Sequence, residues 1–102
     1  MTAARLGGGN SASLRAKLIL IEPYVLPVPA DRMKWREDLD PKIDVVRRLS
    51  REFGAYLVPL DGVFAAACAL REPAFWAPDG VHPARPGQAL IAQTWLRTVG
   101  AL

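Results

Sequence analysis

Two short apolar runs flanking one amphipathic helix constrain this chain more than any other feature of its sequence. Lys17-Leu-Ile-Leu-Ile-Glu22, closed by Pro23, and Ala55-Tyr-Leu-Val-Pro-Leu60 are continuous in polarity rather than alternating. A strand with one face in water alternates with period two. A continuous run suits a strand covered on both faces, as in a parallel sheet between layers of helix. Pro59 weakens the last ladder contacts of the second run. Between the runs, Asp40 can cap a helix whose first position is Pro41. Ile43, Val46, Leu49 and Phe53 share one face of it, Arg47, Arg48, Arg51 and Glu52 lie mostly elsewhere, and Gly54 stands where a left-handed residue ends a helix. Strand, helix and parallel strand close as a right-handed βαβ unit.

The rest of the chain arranges itself around that unit. Residues 1–13 are rich in Gly, Ala and Ser and read as a flexible N-terminal arm; Gly7-Gly8-Gly9 fits neither G-x-x-x-x-G-K-[ST] nor G-x-G-x-x-G. Residues 23–40 carry Pro23, Pro27, Pro29 and Trp35, a long ordered loop with a helical turn around Arg32–Glu37. Loops of that length in a compact domain are often functional. Gly62–Leu70 is an alanine-rich helix, residues 71–86 form a loop with four prolines, and a last amphipathic helix runs from about Gly87 to Val99, packing Leu90, Ile91, Thr94, Trp95 and Val99 inward. The fold class is α/β, with parallel strands and flanking helices.

Composition removes several classes. With 102 residues, 51% of them apolar and 23% charged, the chain is one ordinary small globular domain, or a piece of a larger one. The net charge of +3 is spread along the sequence without a like-charge run, so it marks no nucleic-acid footprint. Cys68, the single cysteine, sits in an apolar run and reads as a buried thiol; no Cys/His set exists for structural zinc. No apolar run approaches the roughly 18–20 residues of a membrane span, and the first residues lack a signal-peptide layout. The compartment expected is the cytoplasm.

One segment is chemically pointed: Trp76-Ala-Pro-Asp79-Gly80-Val81-His82-Pro83. Histidine is suited to moving protons near neutral pH, and a carboxylate three residues away can fix its tautomer and stabilise its cation. That is the Asp–His part of a nucleophilic triad whose third member is Ser, Cys or Thr. On spacing alone, Asp-x-x-His in a Pro/Gly-rich loop is more often a turn carboxylate beside a surface imidazole. Trp76, next to this loop, is the candidate pocket wall for substrate, ahead of Trp35 and of Trp95, which belongs to the apolar face of the last helix. Glu22, at a strand's carboxyl end, reads either as functional or as a capped loop carboxylate.

Asp79-Gly-Val-His82-Pro83, followed by Gly87-Gln88-Ala89-Leu90-Ile91-Ala92 and an amphipathic helix, resembles the last conserved block of the SGNH (GDSL-type) hydrolases. Leu18–Pro27 and Ala55–Phe64 resemble the last two strand-and-loop segments of bacterial members. The resemblance covers about residues 14–99, as the C-terminal portion of that family's domain, with Gln88 where many members have histidine. It implies a partial three-layer α/β/α sandwich of flavodoxin-like type, in a serine esterase or lipase that hydrolyses carboxylic esters without metal or organic cofactor. By that resemblance His82 is the general base and Asp79 its orienting partner. The substrate class implied is a small acyl ester or an acetylated carbohydrate.

The family's nucleophile block, Gly-Asp-Ser, and the blocks supplying a Gly and an Asn to the oxyanion hole are not found here. Donors of that kind are worth about two to three orders of magnitude each. Ser50 lies within a helix. Ser11 and Ser13 precede the strand Lys17–Glu22, at the end of the sheet opposite the carboxyl ends, where ligands of open α/β sheets bind. The nucleophile is therefore unassigned. Two parallel strands alone leave both sheet edges unpaired, which predicts marginal stability and self-association, or pairing with an N-terminal half, through the exposed edge. A non-catalytic interaction module of that kind is the alternative reading.

Overall fold

A computed structural model describes residues 2–6 and 17–100. Its sheet has three strands in spatial order β1 (Thr2–Leu6), β2 (Lys17–Ile21) and β3 (Tyr56–Val58). β2 and β3 are parallel, with Ile19, Leu20 and Ile21 opposite Tyr56, Leu57 and Val58, as the two apolar runs require. β1 runs antiparallel along the other edge of β2, from Thr2 opposite Ile21 to Leu6 opposite Lys17. The arm expected over residues 1–13 thus falls partly in a strand and otherwise outside the described residues. The physical reason is the edge itself: a bare β2 would leave a row of backbone N–H and C=O groups without partners.

Helices flank the sheet. A 3-10 helix (Ala30–Trp35) runs directly into α1 (Arg36–Phe53), which is followed by α2 (Leu60–Ala67), the single turn α3 (Pro73–Trp76) and α4 (Arg85–Thr98). Side chains alternate across a strand, so Ile19, Ile21, Tyr56 and Val58 share one face. That face packs with Leu60 and Phe64 of α2, Leu26 and Ala77 of the loops, and half-buried Leu90, Ile91 and Trp95 of α4. α1 packs on β2 and β3 with Ile43, Val46 and Ser50 buried, none of which joins that cluster, so it covers the other face. The result is the expected three-layer α/β arrangement.

The boundaries differ from the sequence reading where distant partners intervene. α1 starts at Arg36, not at Asp40, and carries Pro41 inside it. Pro41 cannot donate to the carbonyl of Glu37, but both positions are exposed, and water can serve that carbonyl. Arg36 offsets the loss by pairing with Asp40 at 2.7 Å, one turn on, and with Asp61 of α2 at 2.5 and 3.0 Å. Gly54 ends the helix at φ 60°, as expected, while Phe53 beside it is exposed. α2 begins two residues before Gly62 because Glu22, only 1% exposed, accepts from the Asp61 amide at 3.1 Å. The other Glu22 oxygen takes Arg47 Nε at 2.7 Å, so this one carboxylate ties the end of β2 to α1 and to the first turn of α2. Of its two sequence readings, the capped loop carboxylate describes it.

Candidate active site

After α3 the chain crosses the core at Ala77, which is fully buried, and turns at Asp79–Gly80. The turn closes with the Gly80 amide donating to the Ala77 carbonyl at 2.9 Å and with Gly80 at φ 84°. Only glycine fits there. A Cβ on Gly80 would stand 2.5 Å from the Leu26 carbonyl oxygen and 2.7 Å from that of Val28.

Asp79 organises the residues that follow. Its Oδ1 accepts from the backbone amides of Val81 (2.9 Å) and His82 (2.7 Å), and its Oδ2 lies 2.6 Å from His82 Nδ1. The His82 amide, then the His82 ring, then the Val81 amide hold the Asp79 carboxyl well below the usual carboxylate range. An ionised carboxylate can only accept, so Nδ1 carries the hydrogen and, in the neutral ring, Nε2 keeps a free lone pair. The His82 side chain is 87% exposed and presents that nitrogen outward.

Three contacts from the segment between β2 and α1 hold this turn in place. The Leu26 amide donates to the Gly80 carbonyl at 2.9 Å, the Tyr24 hydroxyl to the Val81 carbonyl at 3.2 Å, and Arg32 Nε to the Asp79 carbonyl at 3.0 Å. Tyr24 is itself seated on Phe64, with ring centroids 4.4 Å apart; burial and the nearby Asp79 charge raise its pKa. On the far side, the Ala84 amide donates to the Trp76 carbonyl at 2.9 Å and Pro86 stands in the first turn of α4, so the chain leaves His82 in a fixed direction.

The sequence-selected residues separate at this point. Asp79 and His82 meet. Trp76 points its indole N–H away from them, to the carbonyls of Ala67 (3.1 Å) and Arg71 (3.2 Å) at the end of α2, and packs edge-on against Phe75. An open groove of about 520 Å³ beside the turn is lined instead by Tyr24, Val25, Trp35, Leu39 and Val81, with Lys34, Glu37 and Asp38. Sequence reasoning passed over Tyr24 and Arg32, whose roles depend on partners 57 and 47 residues away. Ser50 is buried and donates to the Arg47 carbonyl at 2.7 Å, far from nucleophile duty; Ser11 and Ser13 lie outside the described residues. The Cys68 thiol is pushed up in pKa by burial, the opposite of an activated nucleophile. Among the described residues no three His, Cys, Asp or Glu side chains group as a metal site, and no helix is long and apolar enough to cross a membrane.

No protein-family model and no curated protein matches the chain. Solved structures do. A GDSL-like lipase candidate from Parabacteroides merdae superposes with a TM-score of 0.74 at 36% identity, covering 80% of this chain and 38% of that one. An α/β hydrolase from the metagenome of Lake Arreo, Spain, gives 0.68 at 34% identity, over 80% of this chain and 37% of its own. An acetylxylan esterase from Geobacillus stearothermophilus gives 0.68 at 29% identity with the same coverages of 80% and 37%. The chain therefore spans less than two fifths of the length of these relatives. Its likeness to the SGNH (GDSL-type) hydrolases holds in three dimensions as it does in sequence, over 80% of this chain.

Proposed function

We propose that Asp79 and His82 are the acid–base part of a Ser-His-Asp ester hydrolase, completed by a serine and oxyanion donors that the described residues do not include. The observation that carries this reading is the 2.6 Å contact between Asp79 Oδ2 and His82 Nδ1, which leaves Nε2 as the basic atom of an exposed ring. In such a site Nε2 takes the proton from the serine hydroxyl as it attacks the ester carbonyl, then returns it to the departing alcohol; Asp79 keeps the ring oriented and stabilises its cation. Three hydrolase likenesses support the assignment. One is to the esterase of Geobacillus stearothermophilus, a catalytic mutant of which has a serine replaced by alanine.

The test is a chimera. Residues 18–100 replace the matching segment of that esterase, and hydrolysis of 4-nitrophenyl acetate is followed with and without His82→Ala. Turnover that falls about 10⁴-fold on loss of the imidazole supports the reading, by analogy with the loss of function in disrupted triads. A folded chimera that hydrolyses no faster than its His82→Ala form refutes it.

A further inference from the structure

The guanidinium of Arg32 touches two places at once. Its Nε donates to the backbone carbonyl of Asp79 at 3.0 Å, 47 residues on, and its central carbon lies 4.2 Å from the ring centroid of Trp35. Arginine suits such a double contact, because its planar fork donates from the edge and stacks on an aromatic ring with the face. The choice of acceptor matters. A guanidinium on the Asp79 carboxylate would compete with the His82 ring for Oδ2. On the carbonyl it fixes where residue 79 lies and leaves both carboxylate oxygens to the amides of Val81 and His82 and to His82 Nδ1. The groups that lower the Asp79 pKa are accordingly those of His82 and Val81, and Arg32 is not one of them, so its hold is one of position.

Arg32 and Trp35 both belong to the 3-10 helix Ala30–Trp35, in which no residue is buried. Core packing therefore does not fix these two side chains, and each steadies the other. Trp35 stands 47% exposed at the groove that Tyr24 and Val81 also line. We propose that Arg32 is a positioning residue for His82, and that through Arg32 the indole of Trp35 sets how firmly the base is held. This deepens the reading of an ester hydrolase and rests on it. Tyr24 is the comparison within the same turn. Its hydroxyl holds the Val81 carbonyl, but its ring is seated on Phe64 against the core cluster, so its grip is independent of Trp35.

The hold can be read without turnover, from the two ring nitrogens of His82 in the whole chain labelled with ¹⁵N. Arg32→Ala should raise the fraction of the neutral ring protonated on Nε2 about fivefold, the worth of one hydrogen bond, and Tyr24→Phe by a similar factor. Trp35→Ala should raise it about twofold, as loss of an exposed cation–π contact does. The pairs decide the matter. Trp35→Ala added to Arg32→Ala should change nothing further, whereas Trp35→Ala and Tyr24→Phe should multiply. Arg32→Lys keeps the charge without the plane and should behave as Arg32→Ala. Amide shifts unchanged outside the turn and the 3-10 helix verify that each variant is folded. A His82 ring indifferent to Arg32→Ala would overturn the proposal, as would multiplying effects of Arg32→Ala and Trp35→Ala, or a parent-like Arg32→Lys. In the active chimera, Arg32→Ala should lower kcat for 4-nitrophenyl acetate about 10²-fold and change KM less, and an unchanged kcat would overturn it too. Coupled ring effects alongside a folded, inactive chimera would instead refute the hydrolase reading and leave the link from Trp35 through Arg32 to the turn standing.

Discussion

Replacing Gly80 with alanine should damage the fold and the site together, and the structure gives the size of the damage. At φ 84° the backbone is in a region where an L residue costs about 1–2 kcal/mol. The new methyl would also press on the carbonyl oxygens of Leu26 and Val28, at 2.5 and 2.7 Å, and these are backbone atoms with no rotamer to change. Relief requires the Leu26–Val28 segment to draw back, which breaks the 2.9 Å bond from the Leu26 amide to the Gly80 carbonyl. Leu26 is 2% exposed, and a buried donor left without a partner costs a further 1–3 kcal/mol or so. The expected total is about 2–5 kcal/mol, which at about 4–8 °C per kcal/mol lowers the melting temperature by about 8 °C or more. Gly54→Ala is the matched control: φ is 60° there, but nothing lies within 4 Å of the added Cβ. That variant should lose only the backbone cost, about 1–2 kcal/mol. Circular-dichroism melts of the two variants decide the matter. If Gly80→Ala melts within a few degrees of Gly54→Ala, the crowding at the turn is not what fixes it, and the account of how Asp79 and His82 are positioned fails.

His82 is the only histidine of the chain, so its ring nitrogens can be read directly by ¹⁵N NMR. The neutral form should carry its hydrogen on Nδ1, and Asp79→Asn should shift the balance toward Nε2–H; an Nε2–H tautomer in the parent protein would refute the pairing. The Asp79 carboxyl is held below its ordinary value in the folded state, so its stabilising effect is complete above the ordinary carboxylate range and is lost as pH falls through the folded value. Urea midpoints should therefore drop more steeply below about pH 4 for the parent than for Asp79→Asn, and parallel profiles would count against it. At the other carboxylate, Arg47→Ala leaves Glu22, 1% exposed, with only the Asp61 amide as partner. Removing one member of a buried pair costs about 3–5 kcal/mol, and the 43% exposure of Arg47 places this case at the low end. Glu22→Gln keeps an acceptor for the Asp61 amide and should cost less, so chemical denaturation giving the reverse order would sink the assignment of Glu22 as a structural tie.

The parts of this fold that were legible in the sequence are those decided by neighbours along the chain. The two apolar runs became the parallel pair, and Gly54 became the left-handed end of α1. The parts misplaced are those decided across space. The start of α1 moves to Arg36 because Asp61 and Asp40 reward that residue, and the start of α2 moves to Leu60 because a carboxylate 39 residues away caps it. Trp76, singled out for its nearness to Asp79, has its indole N–H aimed by the short turn α3 at the end of α2. Trp35, over 40 residues from the turn, lines the groove instead.

The same distinction bears on what the Asp-x-x-His segment is. A surface histidine beside a turn aspartate arises readily from local chemistry, since Asp side chains bond their own backbone two and three residues on. Local chemistry explains the Asp79 bonds to the Val81 and His82 amides and nothing more. It does not explain why a tyrosine, an arginine and a backbone amide from the segment between β2 and α1 converge on the carbonyls of three successive residues, 79, 80 and 81. Holding Arg32 and Tyr24 in single conformations opposes their side-chain entropy, which for arginine alone is up to about 2 kcal/mol. A solvated surface turn would gain little from such bracing. A base that must meet a serine on another part of the fold within hydrogen-bond distance gains its rate from it, because proton transfer demands placement within fractions of an ångström. The bracing, more than the motif, is what supports the proposed role of His82 as a base, and its Nε2 has no hydrogen-bond partner among the described residues.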